Sequence, residues 1–213
     1  MDSDVFNLFQ VVMNQKEELE RAFYMMPIHS DLLNYWKKNL EVDPIKKALR
    51  FLFLSNFTYM GKMDTLKYSL RDTPKYFVSS QIERTFNLLK DVKFNNADFR
   101  KFFKSLSFID IDYGKPSGER DMIFIYSDSP YLETTDTYKD SDSWTKKDVI
   151  DLFDCLQLTK SKFAYSEFNH PFILQQAKER NLNVIIIGER QNLKNKRTEI
   201  LVTNYENQQL SLF

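Results

Sequence analysis

The chain has 213 residues, 42% of them hydrophobic and 28% charged, and its 30 basic and 30 acidic side chains leave no formal net charge. That length holds one domain, or one domain with a sizeable insert, and is ample for a buried core. The single cysteine, Cys155, excludes a disulfide framework and fits a reducing cytoplasm; His29 and His170 stand far apart without cysteine partners, which argues against a metal site, and no leader or apolar run of transmembrane length is found, so no membrane partner is expected.

In chain order, Asp4 caps a helix expected to reach about Glu20, with Val5, Leu8, Phe9 and Val12 at helical spacing. A short helix is expected from Asp31 to Asn39. Asp43-Pro44 is an N-cap and first-turn pair for a helix to about Ser55. Residues 57–77 lose helical periodicity, contain Gly61 and Pro74, and read as a hairpin or long loop. Ser80-Gln81-Ile82-Glu83 reads as a capping box opening a helix to Lys90.

From there strands and helices alternate. A short strand is expected over Asp91–Asn95, a helix over Asp98–Leu106, and a buried strand over Met122–Ser127. A helix capped by Thr145 runs to Leu158, then a strand Lys162–Ser166 and a helix Pro171–Arg180. Asn183–Ile187 and Glu199–Asn204 are the last two strands. The alternation predicts an α/β fold with a doubly wound sheet, whose ligand crevice lies at the carboxyl ends of strands. Gly114–Glu119 and Thr134–Ser143 read as polar loops. The division expected is a helical and hairpin region, 1–90, followed by an α/β region, 91–213.

Charge is unevenly distributed. Residues 37–104 carry 15 Lys and Arg against 7 Asp and Glu, whereas residues 105–160 carry 6 against 12. Local positive charge of this kind suits phosphate contacts even in a neutral chain, although a solvated helical surface of mixed charge explains it equally well. The 19 Phe and 11 Tyr read as core filling rather than as a base-stacking platform.

The expected strand before residue 128 runs straight into Asp128-Ser129-Pro130-Tyr131, at a strand carboxyl end. This tetrapeptide resembles the Asp-Pro-Pro-Tyr signature of methyltransferases acting on the exocyclic amino group of adenine in DNA. Four further blocks follow the family's order. Phe53 to Lys62 contains Asn56, Tyr59 and Gly61, similar to an Asn-x-x-(Phe/Tyr)-x-Gly recognition hairpin. Asn95-Asn96-Ala97-Asp98-Phe99 resembles the family's Asn-x-Asp-Phe. Phe163-Ala164-Tyr165-Ser166 resembles its strand-plus-Ser motif. Arg190-Gln191-Asn192 and then Arg197-Thr198-Glu199-Ile200-Leu201-Val202-Thr203-Asn204-Tyr205 resemble its closing segment. Together the blocks resemble the Dam-like (D12 class) adenine-N6 DNA methyltransferases over nearly the whole chain.

The resemblance implies a methyltransferase sheet with a helical target-recognition insert, double-stranded DNA as partner, and S-adenosylmethionine as methyl donor. It makes Asp128 and the backbone carbonyl of Ser129 the acceptors of the amino protons, with Pro130 holding residue 129 extended and Tyr131 stacking on the extruded base. Asp128 would also border the donor. Tyr59, Gly61, Lys62, Lys67, Arg71, Lys75, Arg190, Asn192 and Arg197 become candidate DNA contacts. Met60 stands where a polar base-reader is common in the Dam branch, and Asp64 or Thr65 where an arginine is expected, so the Dam target site is not implied.

The family's Gly-Gly-Lys and Phe-x-Gly-x-Gly segments are not found among the four glycines, and Asp2 to Leu8 resembles the stretch just past the acidic donor ligand. The expectation is a catalytic and recognition part whose donor loop and first two strands come from a second polypeptide, or which self-associates through the strand edges left open, or whose sheet closes over the gap so that the donor pocket is absent. The alternatives are a truncated DNA-binding remnant without catalysis, and an interaction domain with an accidental Ser-Pro-Tyr turn.

Overall fold

The computed structural model describes residues 3–58, 66, 73–106, 123–133, 144–191 and 196–206. The chain divides into two compact units, Met1–Asn96 and Ala97–Phe213.

In the first unit the described residues form α1 (Ser3–Asn14), α2 (Lys16–Met25), α3 (Ser30–Lys38), α4 (Pro44–Phe57) and α5 (Thr73–Leu89). Their apolar stripes close over one core, with Leu19, Phe23 and Phe53 fully buried and Trp36 edge-on to Phe53 at 5.1 Å. Asp43 caps α4 by accepting the Lys46 N–H at 2.9 Å, with Pro44 in the first turn, where no N–H is needed.

Three expectations change here. The helix expected from Asp4 to Glu20 is two helices, because Gln15 leaves helical geometry (φ −143°, ψ 40°) while its amide and carbonyl still bond Val11 and Leu19. The helix expected to open at Ser80 begins at Thr73, since a proline in the first turn breaks no hydrogen bond; the Ser80 hydroxyl donates to Phe77 O at 2.7 Å inside the helix. Asp91–Asn95 is not a strand: Phe94 stacks on Phe9 at 5.3 Å, and that ring contact replaces the ladder. Of the expected hairpin over 57–77, Thr58 and Leu66 form an antiparallel bridge, and 59–65 and 67–72 lie outside the described residues.

The second unit has α6 (Phe99–Ser105), β1 (Phe124–Asp128), α7 (Lys146–Leu158), β2 (Lys162–Phe168), α8 (Pro171–Glu179), β3 (Asn183–Gln191) and β4 (Lys196–Thr203). The described strands form a four-stranded mixed sheet in the order β1-β2-β4-β3. β1 and β2 run parallel, with Asp128 opposite Ser166, and β4 runs against both β2 and β3. Strand alternation places Phe163 and Tyr165 on one face, where they join Val149, Phe153 and Leu156 of α7 in the core. Thr145 and Asp148 form a reciprocal capping box at the start of α7. Arg100 of α6 is fastened to that helix, its Nε donating to Asp151 at 2.7 Å and its Nη2 to Asp148, which raises the guanidinium pKa.

The strand expected to be buried over Met122–Ser127 is a sheet edge among the described residues. It alternates, with Phe124 and Tyr126 more than half exposed and Ile125 turned to the core. The expected polar loops 114–119 and 134–143 lie outside the described residues.

Candidate active site

Parallel β1 and β2 end together, so Asp128 and Ser166 emerge side by side on one face of the sheet. The Ser166 hydroxyl is buried and donates to Asp128 Oδ1 at 3.0 Å, leaving the Asp128 side exposed to solvent. A hydroxyl donor on one oxygen fixes the carboxylate's orientation while the other lone pairs stay available. Pro130 follows Ser129, restricting residue 129 to extended backbone.

Tyr131 is held from two sides. Its hydroxyl donates to Glu199 Oε1 of β4 at 2.7 Å, and its ring meets Phe168 edge-to-face at 4.6 Å. Burial, then the bond to Glu199, pushes the phenol pKa up to about 12, so the ring is a neutral aromatic at physiological pH. The Arg197 guanidinium lies 5.1 Å from the centre of the Phe168 ring. Arg197, Phe168 and Tyr131 thus form one layered group beside Asp128.

The chain then turns through Leu132 and Glu133, the latter at φ 56°. The Leu132 N–H donates to Glu167 Oε1 at 2.5 Å, and Glu133 Oε2 lies 3.3 Å from His170 Nε2. His170 also caps α8, its Nδ1 accepting the Phe172 N–H at 3.1 Å. Leu132, Phe168, His170 and Arg197 line an open polar cavity of about 360 Å³ at this end of the sheet.

Glu167 is fully buried on the helix-covered face, with Oε2 unpartnered among the described residues. Burial is the main reason its pKa rises from 4.5 to about 7. A carboxyl whose folded pKa exceeds its unfolded value contributes stability that is fully present below pH 4.5 and lost as pH climbs through 7. Between pH 4.5 and 8 wild type should therefore lose about 3 kcal/mol relative to Glu167→Gln, which cannot ionise. Urea unfolding of both proteins across that range tests this; parallel pH dependences would show that Glu167 titrates normally.

The structure thus brings Asp128, Ser129, Pro130, Tyr131 and Arg197 together, and the other candidates are placed differently. Arg190 is exposed and pairs across the hairpin with Arg197 in the β3–β4 register. The Lys75 ammonium donates to the Met26 carbonyl at 2.7 Å and lies over the Tyr24 ring, with its pKa lowered by burial; it is committed to its own helical unit rather than offered to a phosphate. Tyr59, Gly61, Lys62, Lys67, Arg71 and Asn192 lie outside the described residues. Glu167 and Phe168 are not among the sequence candidates, and His170 and Glu199 enter there only as a discounted metal ligand and as part of the closing segment. The available signal is a carboxyl directly after the Phe-Ala-Tyr-Ser block, in phase with Phe163 and Tyr165 on the core-facing side of the strand. Among the described residues no cluster suited to a metal ion occurs, and no helix is long and apolar enough to cross a membrane.

No protein-family model matches the chain, and no match is found among curated proteins.

Proposed function

We propose that the chain is an adenine-N6 DNA methyltransferase, or the catalytic and recognition part of one, using S-adenosylmethionine to methylate a flipped adenine. The observation that carries this reading is the exposed Asp128 carboxylate at the carboxyl end of β1, oriented by Ser166 at 3.0 Å and followed by Ser-Pro-Tyr. An exocyclic amino group is a poor nucleophile because its lone pair is delocalised into the ring. Acceptors on both of its protons draw that lone pair back to nitrogen. Asp128 supplies one acceptor and the Ser129 carbonyl the other, and the Tyr131 ring offers the base an aromatic neighbour.

The parallel β1–β2 pair, with the site at its carboxyl end, supports a doubly wound methyltransferase sheet as the finer description of the fold. The donor is a different matter. Gly188 is the one glycine among the described residues, it lies within β3, and no glycine-rich cradle adjoins Asp128 there. These described residues do not form a site for a sulfonium donor. Phe124 and Tyr126, exposed on a strand that is an edge among the described residues, favour, as a second reading, a partner subunit of a larger enzyme.

Binding to duplex DNA should weaken linearly with the logarithm of salt concentration, as phosphate contacts release counterions. A variant with Lys62, Lys67 and Arg71 all replaced by Ala should flatten that slope. An unchanged slope would move the contacts to the Arg190–Arg197 hairpin, and absence of duplex affinity at low salt would remove DNA as the partner.

A further inference from the structure

The segment from Asp128 to Glu133 is tied to the rest of its unit at four points. Asp128 is held by Ser166, Tyr131 by Glu199, the Leu132 amide by Glu167, and Glu133 contacts His170. The third tie is the least expected. Glu167 is on the same face as Phe163 and Tyr165, both fully buried, where an apolar side chain would be the ordinary choice. A carboxyl does there what no apolar residue can: it receives the buried Leu132 N–H at 2.5 Å. The turn it receives is one that needs holding, because Glu133 sits at φ 56°, a left-handed conformation that residues other than glycine adopt reluctantly.

We infer that Glu167 is a positioning residue, whose buried carboxyl clamps the Leu132–Glu133 turn and thereby fixes where the Asp128 carboxylate and the Ser129 carbonyl point. The chemistry this serves rests on the proposed methyl transfer, but the clamp itself is a property of the fold. Its location suits the role. Ser166 holds the front of the segment from one face of β2, and the next residue, Glu167, holds the back from the other, so consecutive residues of one strand grip both ends of the same turn.

The groups bearing on the Glu167 carboxyl are Asp128 on β1 and Arg197 on β4, with the Tyr165 phenol on its own strand. Ser129 Oγ and Trp144 Nε1 both bear on the Tyr165 hydroxyl, and all three atoms are buried. Burial raises the Glu167 pKa, which adds a proton-sensitive element to the geometry.

The test uses the full chain and two variants: Glu167→Gln, which keeps an acceptor for Leu132, and Glu167→Leu, which does not. In wild type a through-hydrogen-bond scalar coupling should connect the Leu132 amide nitrogen to the Glu167 carboxyl carbon. Amide exchange at Leu132 should be slow in wild type and in Glu167→Gln and about tenfold or more faster in Glu167→Leu. Phe163 and Val202 amides should stay protected throughout, as the reference for folding.

The Asp128 carboxyl carbon resonance should move in Glu167→Leu and return in Glu167→Gln, a rescue that a mere core-packing role would not give. In methyl-transfer assays the Leu variant should lose kcat with KM for DNA unchanged. Leu132 exchange that is the same in wild type and Glu167→Leu, with the reference amides protected, would overturn the inference. If Glu167→Leu does not fold, the wild-type coupling decides: its presence supports the clamp and its absence refutes it. A wild type with the coupling and the exchange pattern but no methyl transfer, either alone or with the polypeptides that co-purify with it, refutes the methyltransferase reading and leaves the clamp standing.

Discussion

Asp128→Ala is expected to cut methyl transfer to DNA by about a hundredfold or more while leaving duplex affinity largely intact. The size follows from where the proposed mechanism puts the carboxylate. A preorganised acceptor works on charge that develops as nitrogen attacks, so its removal raises the barrier by several kcal/mol without weakening contacts made in the ground state. The Ser166 hydroxyl still has the Ser127 carbonyl, 3.4 Å away, within reach. Ser166→Ala should act in the same direction and more weakly, since it loosens the acceptor without deleting it. Turnover in Asp128→Ala above about a tenth of wild type, with DNA binding preserved, would remove Asp128 from the chemistry.

Phe153→Ala is expected to have the largest effect on stability, about 3–5 kcal/mol for the unit Ala97–Phe213. Phe153 is fully buried in α7, its ring edge-to-face with Tyr165 of β2 at 5.3 Å, and the Arg180 guanidinium lies 5.4 Å from the ring centre. Truncation removes the contact that seats α7 on the strand carrying Ser166 and Glu167, and leaves a cavity that rigid strands cannot close. That loss is a large fraction of the 5–15 kcal/mol of a typical domain. Denaturant unfolding followed by Trp144 fluorescence, in a Trp36→Phe background, measures it within this unit. A shift worth less than about 1 kcal/mol would show that the α7–β2 contact is not the centre of this core.

How much of this was legible in the sequence depended on whether a local signal and the tertiary packing agreed. The starts of α4, α7 and α8 were readable because Asp43, Thr145 and Pro171 put the needed chemistry at the helix start itself. Gln15 was not readable as a break: it is neither Gly nor Pro, the apolar spacing continues past it, and its hydrogen bonds survive on both sides. Asp91–Asn95 alternates like a strand, but the Phe94 ring found a partner in Phe9, and packing overrode propensity. The apolar run at β1 suggested burial on both faces, whereas one face of β1, carrying Phe124 and Tyr126, is exposed, so only alternate residues turn to the core.

The site divided in the same way. Asp128 to Tyr131 could be found because the whole group is contiguous and sits where a strand ends. Glu199, Glu167 and His170 reach it from elsewhere in the chain, through hydrogen bonds and a side-chain contact that no local spacing announces. Arg197 was readable as a basic residue in a hairpin, but its place over Phe168, beside Tyr131, follows only from the β2–β4 register.

The central claim is that Asp128 and its neighbours present acceptors to the amino group of adenine. Its most direct test is nucleoside mass spectrometry of duplex DNA incubated with labelled S-adenosylmethionine and the wild-type chain, alone and with the polypeptides that co-purify with it from its own cells. The predicted result is labelled N6-methyladenine in at least one wild-type incubation, and its loss in the Asp128→Ala counterpart. Label absent from DNA in both wild-type incubations, label on another base, or N6-methyladenine formed equally by Asp128→Ala would contradict it.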